Sequence, residues 1–345
     1  MTADGTTGGP FAGSTDRPAP QPPGPWRRGL RGWGGVGAMA AACALALAAT
    51  LTLTCGFGGP TAVPGTADPA ARARQASTSS CDAQNMAQSL PPSQAAGPAV
   101  RRIQQRHELI VGVDQSSYLW GYRDSTSGQL EGFDIDLVQA IADNLLGPHP
   151  HIVYRAIPTA DRFTDIDNGS VDMVVRTVSI ACSRMSVAAF STAYFEAGQQ
   201  MVVARDNTTI TGYDSSIRGK RVCVADNSSA QQLLGQQSYG ARQVTVQNQL
   251  DCLVQLQLGY ADAVFTDNAL GAGLAAQDPS VHLVGHAVNP EPYGVAMNPK
   301  DTDLVRRVNA VLQTYRQGGW QRSYQHWLAK DLPGISGPPP AQYKS

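Results

Sequence analysis

The chain is 345 residues long, 42% hydrophobic and 15% charged, with 26 basic against 27 acidic residues. So even a balance gives no reason to expect nucleic acid as a partner. The six cysteines and six histidines form no C-x-x-C or Cys/His cluster, so neither a metal nor a cofactor is expected.

Residues 1–25 are rich in Gly, Pro, Thr and Ser and nearly lack large apolar side chains, so they cannot build a core. Arg27, Arg28 and Arg31 then precede an apolar stretch from Trp33 to Thr54, a basic flank followed by a membrane-inserting segment. The positive-inside bias leaves the N-terminus in the cytoplasm and everything past residue 55 outside. The stretch ends Leu51-Thr-Leu-Thr54-Cys55 and resembles a bacterial lipobox, in which Cys55 carries the lipid. Thr52 and Thr54 depart from the usual residues, and ~20 apolar residues also suffice for an uncleaved anchor. Residues 1–55 thus read as an N-terminal extension plus a signal or anchor segment. Residues 56–104, rich in Ala, Pro, Gly, Ser, Thr and Gln, read as a disordered tether. Four of the basic and two of the acidic residues precede Cys55, so the exported part carries a net charge of −3.

From residue 105 onward, apolar runs of strand length alternate with helical patterns, which predicts an α/β fold with mainly parallel sheets. Glu108 to Asp114 reads as a strand and Gly132 to Ala142 as a helix with Phe133, Leu137, Ala140 and Ile141 on one face. Asp134 and Asp136 fall in its first turn, where helix-start electrostatics explain them. Two segments then recur. Leu109 to Ser117 parallels Arg221 to Ser229, and Gly169 to Thr177 parallels Gly259 to Asp267. Each is a strand ending in polar residues, so two lobes of like build are expected. In open α/β sheets ligands bind beyond the carboxyl ends of the strands. Facing lobes would then bring Arg176 and Thr177 from one side to Ser228, Ser229 and Asp267 from the other.

Arg176 ends the apolar run Val171 to Val175 and Arg184 follows a polar turn containing Ser179 and Ser183. A guanidinium is a rigid fork of donors matched to a carboxylate, and two near one strand end suit a ligand with two carboxylates. The alternative is an internal ion pair for Arg176 and a solvated helix start for Arg184. Four cysteines lie past Cys55, and four allow three disulfide connectivities. Cys223 on a strand and Cys252 in the following helix favour Cys223–Cys252, leaving Cys81–Cys182 by elimination.

Leu130-Glu-Gly-Phe-Asp-Ile-Asp-Leu137 resembles the G-F-D-x-D signature of family 3 extracellular solute-binding proteins, the polar amino-acid receptors of ABC importers. Asp172 to Arg184, Lys220 to Ser229, Gly259 to Asp267 and Tyr293 to Lys300 follow in the family's order, so the likeness spans roughly residues 105 to 330. It is similar in pattern to the glutamate/glutamine-type binding lipoproteins of high-GC Gram-positive bacteria. The resemblance implies a two-lobe type 2 periplasmic-binding-protein fold with a hinge and a ligand cleft. Lobe 1 would comprise 105–203 and 286–332, lobe 2 would comprise 204–285, and 333–345 would be a flexible tail. The hinge would cross near Met201 to Ala204 and Leu283 to Ala287.

Carried over by position, Arg184 would grip the ligand α-carboxylate and Asp267 the α-ammonium, with Thr177, Ser179, Ser228 and Ser229 completing the contacts. Asp114 and Trp120 or Tyr122 would form a first-lobe wall. Arg176 stands where relatives of broader specificity carry a small hydroxyl, so it would narrow the ligand to glutamate or aspartate, then to asparagine or glutamine. The implied partners are an acidic amino acid and an ABC permease, reached by a monomer anchored at the extracellular face of the cell membrane. An amino-acid sensor acting through a membrane partner is the alternative. An exported dehydratase or lyase of the same fold is a further one, although Glu131, Glu196 and Glu291 lie in no catalytic motif.

Overall fold

The computed structural model describes residues 81–82 and 85–344. The expected membrane-inserting segment, Cys55 and residues 56–80 and 83–84 of the expected tether lie outside these residues. Among the described residues no helix is long and apolar enough to cross a membrane.

Residues 85–97 run along the first lobe rather than loose as a tether. Ser89 N–H donates to Gln342 O (3.0 Å), and Lys344 N–H donates to Ser89 O (2.8 Å). Asn309, fully buried, donates through Nδ2 to Leu90 O at 2.7 Å. The expected flexible tail is thereby also tied down, with Leu332 and Ile335 packed against the core. Helix α1 (Pro98–Arg106) extends into the expected tether as well. Proline sits in its first turn, where no amide hydrogen is needed, and Ala99, Val100 and Ile103 supply a buried face.

Strand β1 (Leu109–Val113) leads to a small antiparallel sheet of β2 (Ser116–Ser117), β3 (Gly121–Arg123) and β4 (Leu130–Glu131). Helix α2 (Phe133–Leu146) follows, then β5 (Ile152–Ala156), the short helix α3 (Arg162–Asp167), β6 (Met173–Val174) and β7 (Ala189–Phe190). Gly132 precedes α2 with φ 133°, and a Cβ there would lie 2.3 Å from Trp120 O. Glycine is therefore required by the close approach of that backbone. Asp134 and Asp136 do more than face the helix dipole. Asp134 is buried and accepts from Thr177 N–H and Tyr194 Oη, each at 2.8 Å. Asp136 accepts from Ser323 Oγ at 2.6 Å and Trp327 Nε1 at 2.9 Å.

The long strand β8 (Phe195–Ala204) opens the second lobe, followed by β9 (Arg221–Ala225), α4 (Ser229–Gln236), β10 (Arg242–Val246), α5 (Gln249–Gln257), β11 (Ala263–Asp267) and α6 (Asn268–Gln277). Strand β12 (Val281–Tyr293) returns, and β13 (Ala296–Met297), α7 (Thr302–Tyr315) and α8 (Gly319–Trp327) complete the first lobe. The first five-stranded sheet has the order β5-β1-β6-β13-β7 and the second β10-β9-β11-β8-β12. In each, two of the four strand pairings are parallel and two antiparallel.

β1 and β9 hold equivalent places, as do β6 and β11, which is the architecture behind the recurring segments. Antiparallel pairing of β8 with β12 runs from Phe195↔Tyr293 to Ala204↔Val281. The expected hinge crossings at 201–204 and 283–287 therefore lie inside the second sheet, and the passages between sheets fall at 191–194 and 294–295.

The first core is aromatic. Trp120 meets Phe133, Phe195 and Tyr293 edge-on with centroids 4.9–5.6 Å apart, spacing that favours edge-to-face contact. Cys223 and Cys252 form one disulfide, between β9 and α5, and Cys81 and Cys182 form the other.

Candidate functional site

Strand ends of both lobes converge on one narrow cleft. Asp114 follows β1, Arg176 and Thr177 follow β6, Asp267 ends β11, and Ser228 caps α4. Eight of the ten residues expected at a ligand site line it: Asp114, Arg176, Thr177, Ser179, Arg184, Ser228, Ser229 and Asp267. Trp120 and Tyr122 do not. Trp120 is buried in the first core and donates through Nε1 to Ala269 O at 3.1 Å. Tyr122 packs edge-on against Tyr118 and Trp327. Both are drawn away because β2 to β4 form their own sheet, which turns β3 from the cleft.

The cleft also holds a residue that the sequence reading passed over. Arg162, the first residue of α3, is buried and lines the same wall. Its Nε donates to Thr159 O at 2.7 Å and its Nη2 to Asn227 O at 2.8 Å. Arg184 Nη2 approaches the same Asn227 oxygen at 3.4 Å, and its Nη1 donates to Ser179 O at 2.8 Å. Arg176 Nη1 donates to Thr159 Oγ1 at 2.8 Å and Nη2 to Asn248 Oδ1 at 3.2 Å. Three guanidiniums therefore form a file, linked through Asn227 and Thr159. Phe163 supports two of them, with Arg162 and Arg184 5.5 and 5.7 Å from its ring centre, within cation–π range. Position was the available signal, since Arg162 follows the carboxyl end of β5, where such folds place ligand contacts.

Charge is unevenly matched along this file. Arg176 is 4% exposed and pairs with Asp114, Nη2 to Oδ2 at 2.8 Å. Asp114 also accepts from Ser116 N–H and Oγ and from Ser117 Oγ. Burial pushes the Asp114 carboxyl up, but Arg176 and these donors outweigh it and hold it low. Among the described residues Arg162 and Arg184 have no carboxylate within ion-pair distance. Burial depresses the proton affinity of both; Arg184 and Arg176 depress that of Arg162 further, taking it well below its ordinary value. An anion between such groups relieves both the desolvation and the repulsion.

The opposite wall is negative. Asp267 is buried and accepts from Tyr293 Oη at 2.7 Å and from Gln199 Nε2. Burial, then the charge of Glu291, pushes its carboxyl up to about 7, against the opposing pull of Tyr293, Arg184 and Gln199. Other buried polar atoms in this cleft have no hydrogen-bond partner among the described residues: the acceptor Gln199 Oε1 and the donors Gln249 Nε2 and Arg176 Nε. Such atoms are rare in a folded chain and mark places where something else completes the pairing. Ser228 Oγ caps α4 by accepting from Gln231 N–H at 3.0 Å, so the helix's first turn faces the cleft at Ser229 and Ala230. Free amide hydrogens and the helix dipole favour a carboxylate there. The cleft's volume is about 30 Å³, room for only a few water molecules, so admitting an amino acid requires its walls to part. No group of three or more His, Cys, Asp or Glu side chains able to hold a metal occurs among the described residues.

Relatives and solved structures agree with this architecture. Over 230 residues the chain is 29% identical to the ABC transporter glutamine-binding protein GlnH of Bacillus subtilis (strain 168), covering 66% of this chain and 84% of that protein. It is 29% identical over 213 residues to the glutamate-binding protein GluB of Corynebacterium efficiens, covering 59% and 72% respectively. An ancestral arginine-binding protein bound to glutamine superposes with a TM-score of 0.61 at 30% identity, over 65% of this chain and 98% of that one. The model of the bacterial extracellular solute-binding proteins, family 3, matches residues 109–330. With two α/β lobes of the type 2 periplasmic kind and a cleft at their strand ends, the chain belongs to that family.

Proposed function

We propose that this protein captures an acidic amino acid outside the membrane and hands it to an ABC permease. Amino-acid binding is supported by relatives named for glutamine and glutamate binding. The acidic preference is carried by one observation: three buried guanidiniums share the cleft, and among the described residues only Arg176 meets a carboxylate. Asp114 already occupies Arg176, so Arg162 and Arg184 are the two cations left for a ligand's two carboxylates. In this reading Arg184 and the first turn of α4, at Ser228 and Ser229, take the α-carboxylate. Asp267 and Gln199 Oε1 take the α-ammonium, with Thr177 and Ser179 beside them. Arg162, Gln249 Nε2 and the free Nε edge of Arg176 take the side-chain carboxylate. Charge-assisted pairs of this kind are roughly twice as strong as neutral hydrogen bonds.

A ligand held by Arg184 and Arg162 on one lobe and Ser229 and Asp267 on the other favours the closed form by bridging both. Anchoring through a lipid on Cys55, or through the retained apolar segment, would keep a monomeric domain near its permease. Binding rather than catalysis is supported by the relatives' names and by the engagement of both cleft carboxylates in hydrogen bonds. Calorimetric titration of the full chain in detergent with the common amino acids tests the reading. Saturable binding of glutamate or aspartate, tighter than that of glutamine, is expected; no binding of either acid would sink it.

A further inference from the structure

A second cavity of about 290 Å³ adjoins the cleft and shares Ser229 with it. Its walls come from four separate places: Met86, the turn bearing Ile180 and Ser183, helix α4, and β12 at Asn289 to Glu291. The uncommon feature is Glu291. It is 3% exposed, its Oε1 accepts from Asn289 Nδ2 at 2.8 Å, and its Oε2 has no hydrogen-bond partner among the described residues. Among the described residues no cation lies within ion-pair distance of it. Burying a carboxylate with one oxygen unpartnered and no cation beside it is costly, and such a group calls for something that completes it.

The remaining lining limits what that ligand can be. Among the described residues no Lys, Arg or His lines the cavity, whereas Gln232, Gln236 and Ser183 offer neutral oxygens. Met86, Ile180 and Leu233 make the rest apolar. One buried carboxylate beside neutral oxygens and an apolar wall is the complement of a primary ammonium on a short aliphatic stem. An ammonium has three donors and accepts nothing, and mixed lining of this sort is usual for small-molecule pockets. A bare divalent ion is poorly served, since it wants several carboxylate or carbonyl oxygens.

We propose that this cavity is a second site, separate from the amino-acid cleft, that binds a primary ammonium through Glu291. The ammonium could belong to a free amine or to an amino acid passing toward the cleft. Glu291 also acts at a distance on Arg184 and Asp267, so the two sites share an electrostatic wall.

The test titrates the full chain with butylammonium chloride, holding ionic strength constant with tetramethylammonium chloride, which cannot donate a hydrogen bond. Saturable binding is expected in the wild type and in Asp267→Asn, at least tenfold weaker in Glu291→Gln. Gln232→Lys, on the exposed face of α4, places a cation beside Glu291 and should abolish binding even if Glu291→Gln folds poorly. No saturable binding by the wild type overturns the proposal. So does loss in Asp267→Asn with retention in Glu291→Gln, which would put the amine in the cleft. Glutamate association measured on the same variants separates the sources. Slower association in Glu291→Gln assigns the site to the entering amino acid; unchanged association assigns it to a free amine. Wild-type glutamate binding is read independently, so failure of the acidic reading would not be mistaken for failure of this one.

Discussion

Arg176 and Asp114 form a buried ion pair at 2.8 Å in the wall of the ligand cleft. The pair changes what Arg176 can contribute, because its charge is already matched before any ligand arrives. Removing one partner of a buried pair typically costs about 3 to 5 kcal/mol. Asp114→Asn should therefore lower the stability of the unliganded protein by about that much. It should also raise the preference for glutamate over glutamine, since a free guanidinium then faces the side-chain carboxylate. Arg176→Ser should do the reverse, leaving Asp114 to repel an acidic ligand, and should cost affinity for acids far more than for amides. Denaturant melts and paired glutamate and glutamine titrations check both. Equal losses for the two ligands in Arg176→Ser would refute a role in selectivity.

Arg184 and Arg162 separate by a similar comparison. Both lean on Asn227 O and on Phe163, yet the proposed site gives them different carboxylates. Truncating one partner of a buried charge pair costs roughly 2 to 5 kcal/mol, or about 30- to several-thousand-fold in affinity. Arg184→Ala should impose that loss on every amino acid, because all carry an α-carboxylate. Arg162→Gln should impose it on glutamate and aspartate while sparing glutamine. A uniform loss in Arg162→Gln would place it with Arg184 at the α-carboxylate.

Much of this geometry was legible in the sequence, and the reason is local. The recurring strand-end segments put Asp114, Arg176, Ser228 and Asp267 at carboxyl ends of strands, and the fold then brings strand ends together. The Cys223–Cys252 pairing followed from a strand and the helix packed on it. What stayed hidden depends on tertiary packing. Trp120 belongs to the aromatic core because Phe133, Phe195 and Tyr293, from three different elements, close around it. Arg162 looks like an ordinary helix-start arginine until Asn227 of the other lobe meets it. The ordered tail could not be read from composition because its hydrogen bonds go to Ser89, far along the chain, and to the Tyr324 hydroxyl on the helix before it.

The two disulfides should differ in what they protect. Cys81–Cys182 spans 101 residues and Cys223–Cys252 spans 29. Loop-closure entropy puts each at roughly 3 to 5 kcal/mol, the longer loop being worth more. The first holds the guanidinium turn directly, since Cys182 begins the turn that ends at Arg184. A Cys81→Ser/Cys182→Ser double variant should thus lose both thermal stability and glutamate affinity. Cys223→Ser/Cys252→Ser should lose mainly stability. Melting curves and titrations of the two variants decide the matter, and equal affinity losses would show that Cys182 does not hold the turn.

Proton linkage follows from Asp267 and Asp134, whose carboxyls are both pushed up to about 7, mainly by burial. In the unfolded chain an aspartate titrates near 3.9. The folded protein therefore holds protons that the unfolded chain releases, and the stability these groups contribute is complete below about pH 4. It is lost as pH rises through about 7, by up to about 1.4 kcal/mol per pH unit for each group. Ligand binding runs the other way. An ammonium favours ionised Asp267, so amino-acid affinity should weaken as pH falls below 7, approaching about tenfold per unit, and binding at pH 6 should release close to one proton. Calorimetry at pH 6 in buffers of different ionisation enthalpy measures that release directly. Asp267→Asn should abolish both the release and the pH dependence, along with most of the affinity. A wild-type binding enthalpy independent of buffer at pH 6 would show that the ammonium does not meet a protonated Asp267.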